Sequence, residues 1–307
     1  MNMSKISANR VCLIGLGIIT QRYRTGLSQS EFFNLCAVAD LNEAAPGRAF
    51  YQELPFYTDY QKMIDEQKPD YVIIATPPQT HFEVATRCLE KGVHVVIEKP
   101  VTLCLEQFDA LLALAQSQSL VLRTLFHWHG GIETQAFTRQ YDPTQIREIQ
   151  VSVCDPYCSD GSTIDPDRRP LMGAWIDSGV NILSMLRLWL PLKSCRILST
   201  DCQRCQKTNL PVYAKAELLL DGVKTLITVD WRQGINHKES YVTLEDQTVH
   251  INHSAQSICA GGTVTDYARL PRLDEHYLSL FQTIDGSSNG DFSRSVHKIL
   301  FQVNEAL

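Results

Sequence analysis

The sequence predicts an α/β half built on a doubly wound parallel sheet, followed by an α+β half with a mostly antiparallel sheet. Three observations predict this. Over the first 125 residues short apolar strands alternate with helical patterns, the mark of parallel strands joined by crossover helices. From Ile146 onward, longer strands of alternating polarity follow one another with few helices between them. Finally, the first strand breaks directly into a glycine turn. At 307 residues the chain suits two domains, drawn at 1–126 and 127–307.

Residues 10–16, Arg-Val-Cys-Leu-Ile-Gly-Leu, form an apolar run after Arg10 that breaks into Gly15-Leu16-Gly17-Ile18-Ile19-Thr20. A strand that ends in Gly-x-Gly and turns into a helix presents bare backbone N–H groups, which suit a dinucleotide pyrophosphate. The third position is Thr20 rather than Gly or Ala, so the pattern is incomplete. A second strand, 34–39, ends in Asp40, placed to accept from a ribose 2′-hydroxyl. No arginine follows closely to meet a 2′-phosphate, so NAD is expected as cofactor, with NADP as the alternative. A cofactor-free sheet of the flavodoxin type is the competing reading.

Helical patterns follow near 43–51 and 60–66, then a strand at 71–75 that ends in Thr76-Pro77-Pro78. A helix over 81–91 stops at Gly92, a natural residue after a helix end. The strand 94–97 leads into Glu98-Lys99-Pro100, and a helix covers 105–117 with Phe108, Leu111, Leu112 and Ala115 at helical spacing. The strand at 121–126 closes the set, with ligands expected at the strands' carboxyl ends. In the second half, strands are expected at 146–153, 212–220, 224–232, 240–244 and 248–253, and helices at 173–190 and 292–306.

Composition narrows the function. The net charge of −6 argues against nucleic acid or an anionic membrane as partner. No apolar run is long enough to span a bilayer. Met1–Lys5 lead directly into the first strand without a signal-peptide pattern, so a cytoplasmic protein is expected. The ten cysteines are scattered and read as reduced thiols, with Cys12, Cys36 and Cys88 as small core residues. Cys202-Gln203-Arg204-Cys205 lacks a second pair at zinc spacing, and no metal is expected.

Several residues carry candidate chemistry. Lys99 follows the strand 94–97, where it either stabilises charge that develops on a substrate oxygen or is merely solvated before a turn proline. Asp177 and Asn181 are four apart on a helical pattern and share a face, with Ser184 one turn further. His127 and His129 follow the strand 121–126; either could reach a substrate hydroxyl or serve as an interdomain packing residue. Trp231 and Arg232 end an apolar strand, where they suit either a sugar ring or rim packing.

The segment Asp70-Tyr71-Val72-Ile73-Ile74-Ala75-Thr76-Pro77-Pro78, with His81 and then Gly92 through Glu98-Lys99-Pro100, resembles the glucose–fructose oxidoreductase/inositol dehydrogenase (Gfo/Idh/MocA) family. The resemblance implies a nicotinamide cofactor on the first domain, held by Gly15, Gly17, Ile18, Ile19, Asp40, Thr76, Pro77, His81, Glu98 and Lys99. It implies an open-faced sheet in the second domain, used for homodimer or tetramer assembly, and places Lys99 near nicotinamide and substrate. Asp177-Ser178-Gly179-Val180-Asn181 is similar to the family's second catalytic motif, with Asn181 where many members have histidine. Asn cannot titrate; it orients or polarises. The same phrase, Trp128-His129 and Asp230-Trp231-Arg232-Gln233 are similar to the L-arabinose and D-galactose 1-dehydrogenases, whereas residues 155–172 depart from their pattern.

These features together lead to an expected NAD(P)-dependent dehydrogenase that oxidises a sugar or polyol, most plausibly at the aldose C1 hydroxyl. Lys99 and Asp177 would handle the proton, and Asn181 with His129 would orient the hydroxyl. A non-catalytic NAD-binding regulator and a reductase of an imine or non-sugar carbonyl are the alternatives.

Overall fold

Val11, Cys12, Leu13 and Ile14 of strand β1 (Asn9–Ile14) are all buried, as a central strand covered on both faces requires. The computed structural model describes residues 8–307, so the reading of Met1–Lys5 lies outside the described residues. By backbone contacts the chain forms two units. The first comprises the chain to Thr102, Glu106–Leu125 and Tyr277–Gly290; the second comprises Leu103–Leu105, Phe126–His276 and Asp291–Leu307. A single cut at 126/127 does not describe this division, because Tyr277–Gly290 returns to the first unit.

In the first unit β1 is joined by β2 (Phe33–Ala39), β3 (Phe56–Tyr57), β4 (Tyr71–Ile74), β5 (His94–Glu98) and β6 (Leu122–Leu125). The order is β3-β2-β1-β4-β5-β6 and every pair is parallel, the doubly wound Rossmann arrangement. The two-residue edge strand β3 is the one member that sequence periodicity does not mark. The helices are α1 (Tyr23–Ser28), α2 (Tyr60–Gln67), α3 (Pro78–Glu90) and α4 (Leu105–Ser117). The Asp59 carboxylate caps α2 by accepting from Gln61 N–H at 2.8 Å, and Pro78 opens α3 at a position that needs no N–H donor. Two expectations are corrected. The pattern at 43–51 yields only a 3₁₀ turn, Pro46–Phe50, and the glycine turn enters a 3₁₀ turn, Ile18–Arg22, before α1 rather than running straight into a helix.

The second unit holds α5 (Ile132–Gln140), β7 (Glu148–Cys154), a π-helical turn (Trp175–Gly179), α6 (Val180–Trp189), β8 (Cys195–Arg204), β9 (Pro211–Leu220), β10 (Val223–Asp230), β11 (His237–Thr243), β12 (Thr248–Asn252), β13 (Ser257–Ala260) and β14 (Thr263–Asp266). Helix α7 (Arg272–Gln282) passes from the second unit's residues into the first unit's, and α8 (Gly290–Ala306) ends the chain. The sheet order is β14-β13-β12-β11-β7-β10-β9-β8, antiparallel throughout except for the parallel pair β7–β10. Ile149, Val151 and Val153 of β7 alternate with polar neighbours and share a core with Leu183 and Leu186 of α6 and Ile299, Leu300 and Val303 of α8. On the other side of the strands Gln150, Lys215, Glu217, Thr228 and Tyr241 are polar and exposed or half-buried, so the sheet is open-faced. Among the described residues no helix is long and apolar enough to cross a membrane.

Candidate active site

The first unit builds its candidate site from the turn after β1. Gly15 has φ +93°, and a Cβ there would lie 2.7 Å from the backbone of Ala75 and Thr76, so only glycine fits. Gly17 differs: a Cβ on it would meet nothing within 4 Å, which leaves its backbone open to a ligand. Thr20, at the third position of the pattern, is buried and donates its hydroxyl to the Gly17 carbonyl at 2.8 Å. Gly47 makes room for it, since a Cβ at Gly47 would strike the Thr20 hydroxyl. The incomplete pattern is therefore compensated from a different loop.

Asp40 accepts the Leu16 N–H at 2.7 Å on Oδ2 and the Asn42 N–H at 2.8 Å on Oδ1, so it ties the glycine turn to the end of β2. A carboxylate offers about four acceptor positions, and two remain for a ribose. Ile18 is 51 % exposed and Leu41 is 89 % exposed, apolar surface suited to cover by a flat ligand. Ile19 is half-buried, Thr76 half-buried and Pro77 exposed. The open Gly17 backbone, Asp40 and this apolar rim fit a dinucleotide.

Beneath the surface, two predicted cofactor contacts prove to be supports. His81 is fully buried, with Nδ1 2.8 Å from the Pro100 carbonyl and Nε2 2.7 Å from the Thr76 carbonyl, so it ties together the loops after β4 and β5. Burial lowers its pKa. Glu98 is buried too: Oε1 accepts from Tyr23 at 2.6 Å and Tyr277 at 2.8 Å, and Oε2 accepts the Lys99 N–H at 3.1 Å. Burial raises its pKa despite these donors and the nearby Lys99. Both side chains are engaged within the protein and position the Lys99 loop. Lys99 itself is half-buried, and the Lys99–Pro100 peptide is cis.

In the second unit Asp177 lies within the π-helical turn, a feature frequent at functional positions. A Cβ at Gly179 would press on the Trp175 ring at 3.2 Å, so a small residue suits this turn. The ring is fixed in turn by Nε1 donating to the Leu300 carbonyl at 3.0 Å. Asn181 Nδ2 donates to the Asp177 carbonyl at 3.1 Å, which leaves Oδ1 buried and without a hydrogen-bond partner. The Ser184 carbonyl lies 3.0 Å from His129 Nε2, which makes that nitrogen the donor and Nδ1 the acceptor.

Three other predictions are corrected here. His127 is buried with Nδ1 3.2 Å from His276 Nδ1, and burial holds the His276 pKa at about 3. His127 is thus a packing partner, and His129 is the half-exposed member of the pair. Trp231 is fully buried against Tyr157 at 5.1 Å between centroids, so it cannot stack on a sugar. Arg232 is engaged by Asp230 at 2.8 Å, by Gln203, and by the Tyr213 ring at 4.2 Å, which makes it a sheet-end clamp.

Sequence reasoning missed Asp155, Tyr157 and Lys238. Buried Lys238 binds Asp155 at 2.6 Å and Asn236 at 2.5 Å, while Ser178 donates to the other Asp155 oxygen at 3.3 Å. This pair therefore anchors the turn that carries Asp177. Burial lowers the Lys238 pKa, opposed by the Asp155 and Asp177 carboxylates; burial and the same two carboxylates raise the Tyr157 pKa. An acid just past a strand's end was the available signal for Asp155, whereas Lys238 on an antiparallel strand gave none.

Residues 9–126 match the model of an oxidoreductase family with an NAD-binding Rossmann fold. That model is the one of the Gfo/Idh/MocA oxidoreductases, to which this first part of the chain is similar. It is 30% identical over 146 residues to the D-glucoside 3-dehydrogenase of Escherichia coli, covering 47% of this chain and 42% of that protein. Its matches span between about a sixth and two thirds of the length of the curated relatives. Two solved structures share the fold. One is a 3-ketoreductase from Actinomadura kijaniata with TDP-benzene and NADP, with a TM-score of 0.79, 18% identity and 96% of each chain covered. The other is a protein of gentamicin A biosynthesis with NAD, with a TM-score of 0.81, 15% identity, and 98% of this chain and 94% of that chain covered. The matched residues include the glycine turn at Gly15 and Gly17 and the Asp40 carboxylate that holds it.

Proposed function

We propose that this chain is a nicotinamide-dependent dehydrogenase of sugar-like substrates, and that it oxidises the C1 hydroxyl of a free aldose to the lactone. The observation that carries the reading is the buried Asn181 Oδ1 without a partner, four residues from Asp177. A buried acceptor is costly unless a donor reaches it, and a substrate hydroxyl is such a donor. A dinucleotide held at the Gly15–Gly17 turn and Asp40 would supply the hydride acceptor. Asn181 orients the hydroxyl with His129, while Lys99 and Asp177 carry the proton-handling role.

Oxidation at C3 is the second reading, favoured by the names of the D-glucoside 3-dehydrogenase and the 3-ketoreductase. A free aldose and its methyl glycoside separate the two. The glycoside has no free C1 hydroxyl, so the C1 reading expects turnover of the aldose alone, trapped as the hydroxamate of its lactone. Equal turnover of the glycoside to a keto sugar overturns C1 in favour of C3. No turnover of any hydroxyl or carbonyl substrate, with dinucleotide binding retained, favours a regulator. We further propose a homodimer or tetramer joined through the open sheet face; a monomeric mass by light scattering at micromolar concentration overturns that assembly.

A further inference from the structure

Strands β1 and β2 pair as Val11 with Leu35 and then Cys12 with Ala37, so Cys36 is the extra residue of a β-bulge. The bulge turns its side chain onto Cys12: the two sulfurs lie 3.4 Å apart, and neither is in a disulfide. Cys12 is fully buried, and Cys36 is half-buried and within reach of a small solute. Neighbouring strands are about 4.8 Å apart, within the span a disulfide bridges, so the sulfurs need close only about 1.4 Å to bond.

We propose that Cys12 and Cys36 are a peroxide-sensitive dithiol whose disulfide lowers the dinucleotide affinity of the adjoining glycine turn. The two thiols are not equivalent. The hydrogen bond from Cys12, with Arg10 assisting, lowers the Cys36 pKa to about 7 against the opposing effect of burial; the same hydrogen bond and burial raise Cys12. As a thiol, Cys36 also donates to the Val11 carbonyl at 3.2 Å. Cys36 is therefore the attacking thiolate and Cys12 the resolving thiol. The Cys36 sulfur attacks one oxygen of hydrogen peroxide, the O–O bond breaks, and Cys36 becomes a sulfenic acid as hydroxide leaves. The Cys12 sulfur then attacks Cys36, the S–O bond breaks, and its proton leaves with the hydroxyl as water. Two thiols and one peroxide give one disulfide and two waters.

The consequence follows from position. Gly15 lies three residues beyond Cys12, and Asp40 four beyond Cys36. Asp40 holds the turn through the Leu16 N–H at 2.7 Å, so drawing the strands together at the bulge displaces both parts of that contact.

The test treats the reduced chain with stoichiometric hydrogen peroxide, maps non-reduced peptides by mass, and titrates NAD by fluorescence quenching before oxidation, after it, and after dithiothreitol. The expected result is a peptide pair linking Cys12 to Cys36, at least a threefold rise in the NAD dissociation constant, and recovery on reduction. Cys36→Ser and Cys12→Ala should each abolish the link and keep peroxide from changing NAD affinity; Cys36→Ala replaces the first should it fail to fold. Oxidation of other cysteines without a 12–36 link overturns the proposal, and so does a link that leaves NAD affinity unchanged. Peptide mapping and dinucleotide titration need no substrate, so their outcome is independent of the proposed sugar oxidation.

Discussion

The hydroxyl of Tyr277 donates to the carboxylate of Glu98 at 2.8 Å across 179 residues of sequence. The Tyr23 hydroxyl shares the same oxygen at 2.6 Å, and the Lys99 N–H takes the other. A late helix and the helix after the glycine turn are thus pinned, within one unit, to the strand end that presents Lys99.

Removing either hydroxyl leaves a buried carboxylate short of one donor. Tyr277→Phe and Tyr23→Phe are each expected to cost about 1.5–3 kcal/mol, the range for hydrogen bonds to charged groups. Because both hydroxyls serve one oxygen, the double variant should depart from additivity in urea unfolding. Burial raises the Glu98 pKa, so the folded chain holds that proton more tightly than the unfolded chain does. Its contribution to stability is fully present below the ordinary carboxylate pKa and is lost as pH rises through the raised value. Glu98→Gln should flatten that limb; an unchanged pH slope would show that Glu98 does not carry it.

Gly15 and Gly17 should separate folding from binding. Gly15→Ala places a Cβ against the Ala75 backbone at φ +93°, with an expected cost of about 1–3 kcal/mol. Gly17→Ala meets open space, so its melting temperature should stay near that of the parent while NAD affinity falls by tenfold or more. Equal losses of stability in both would contradict the division.

The sheet and helix order of the first unit was legible because parallel strands covered on both faces are continuous apolar runs, as in Val11–Ile14 and Tyr71–Ile74. The two-residue strand Phe56–Tyr57 and the exposed edge strand Cys195–Arg204 gave no such run, since edge residues bury too little to shape a pattern. Motif residues were legible by type but not by depth. Glu98, His81 and Trp231 have the chemistry of ligand contacts, yet tertiary packing buries each of them. Lys238 and Asp155 are 83 residues apart and meet only through β11 pairing with β7, which no local spacing reveals.

Cofactor choice should follow Asp40. Its carboxylate accepts from a 2′-hydroxyl and repels a 2′-phosphate, so kcat/KM should favour NAD over NADP. Asp40→Ser is expected to narrow that gap by removing the repulsion. A clear NADP preference in the unaltered chain would contradict the assignment, whatever the substrate.

Lys238→Met leaves the buried Asp155 carboxylate without its cation, 2.6 Å away in the parent. Breaking one side of such a pair typically costs about 3–5 kcal/mol, and urea unfolding should report a loss in that range. Adding Asp155→Asn should recover part of it. A loss below about 1 kcal/mol for Lys238→Met would place the pair among weak surface contacts.

The proton-handling roles are tested on Lys99, Asp177 and Asn181 together. Lys99→Met and Asp177→Ala should each lower kcat by about 10²–10⁴-fold, the usual worth of acid–base assistance, with NAD affinity nearly unchanged. Asn181 does not titrate, and its amide is held by the Asp177 carbonyl at 3.1 Å. Asn181→Ala should therefore raise KM and lower kcat without moving the pH profile, whereas Asn181→His should introduce an ionisation near neutrality. The contrast between those two variants separates orientation from proton transfer, because a merely structural Asn181 would leave both profiles superimposable on the parent. Should Lys99→Met and Asp177→Ala both retain full turnover, the proton must leave by another group. Half-exposed His129, whose Nδ1 is left as an acceptor by the Ser184 carbonyl, is then the residue to substitute.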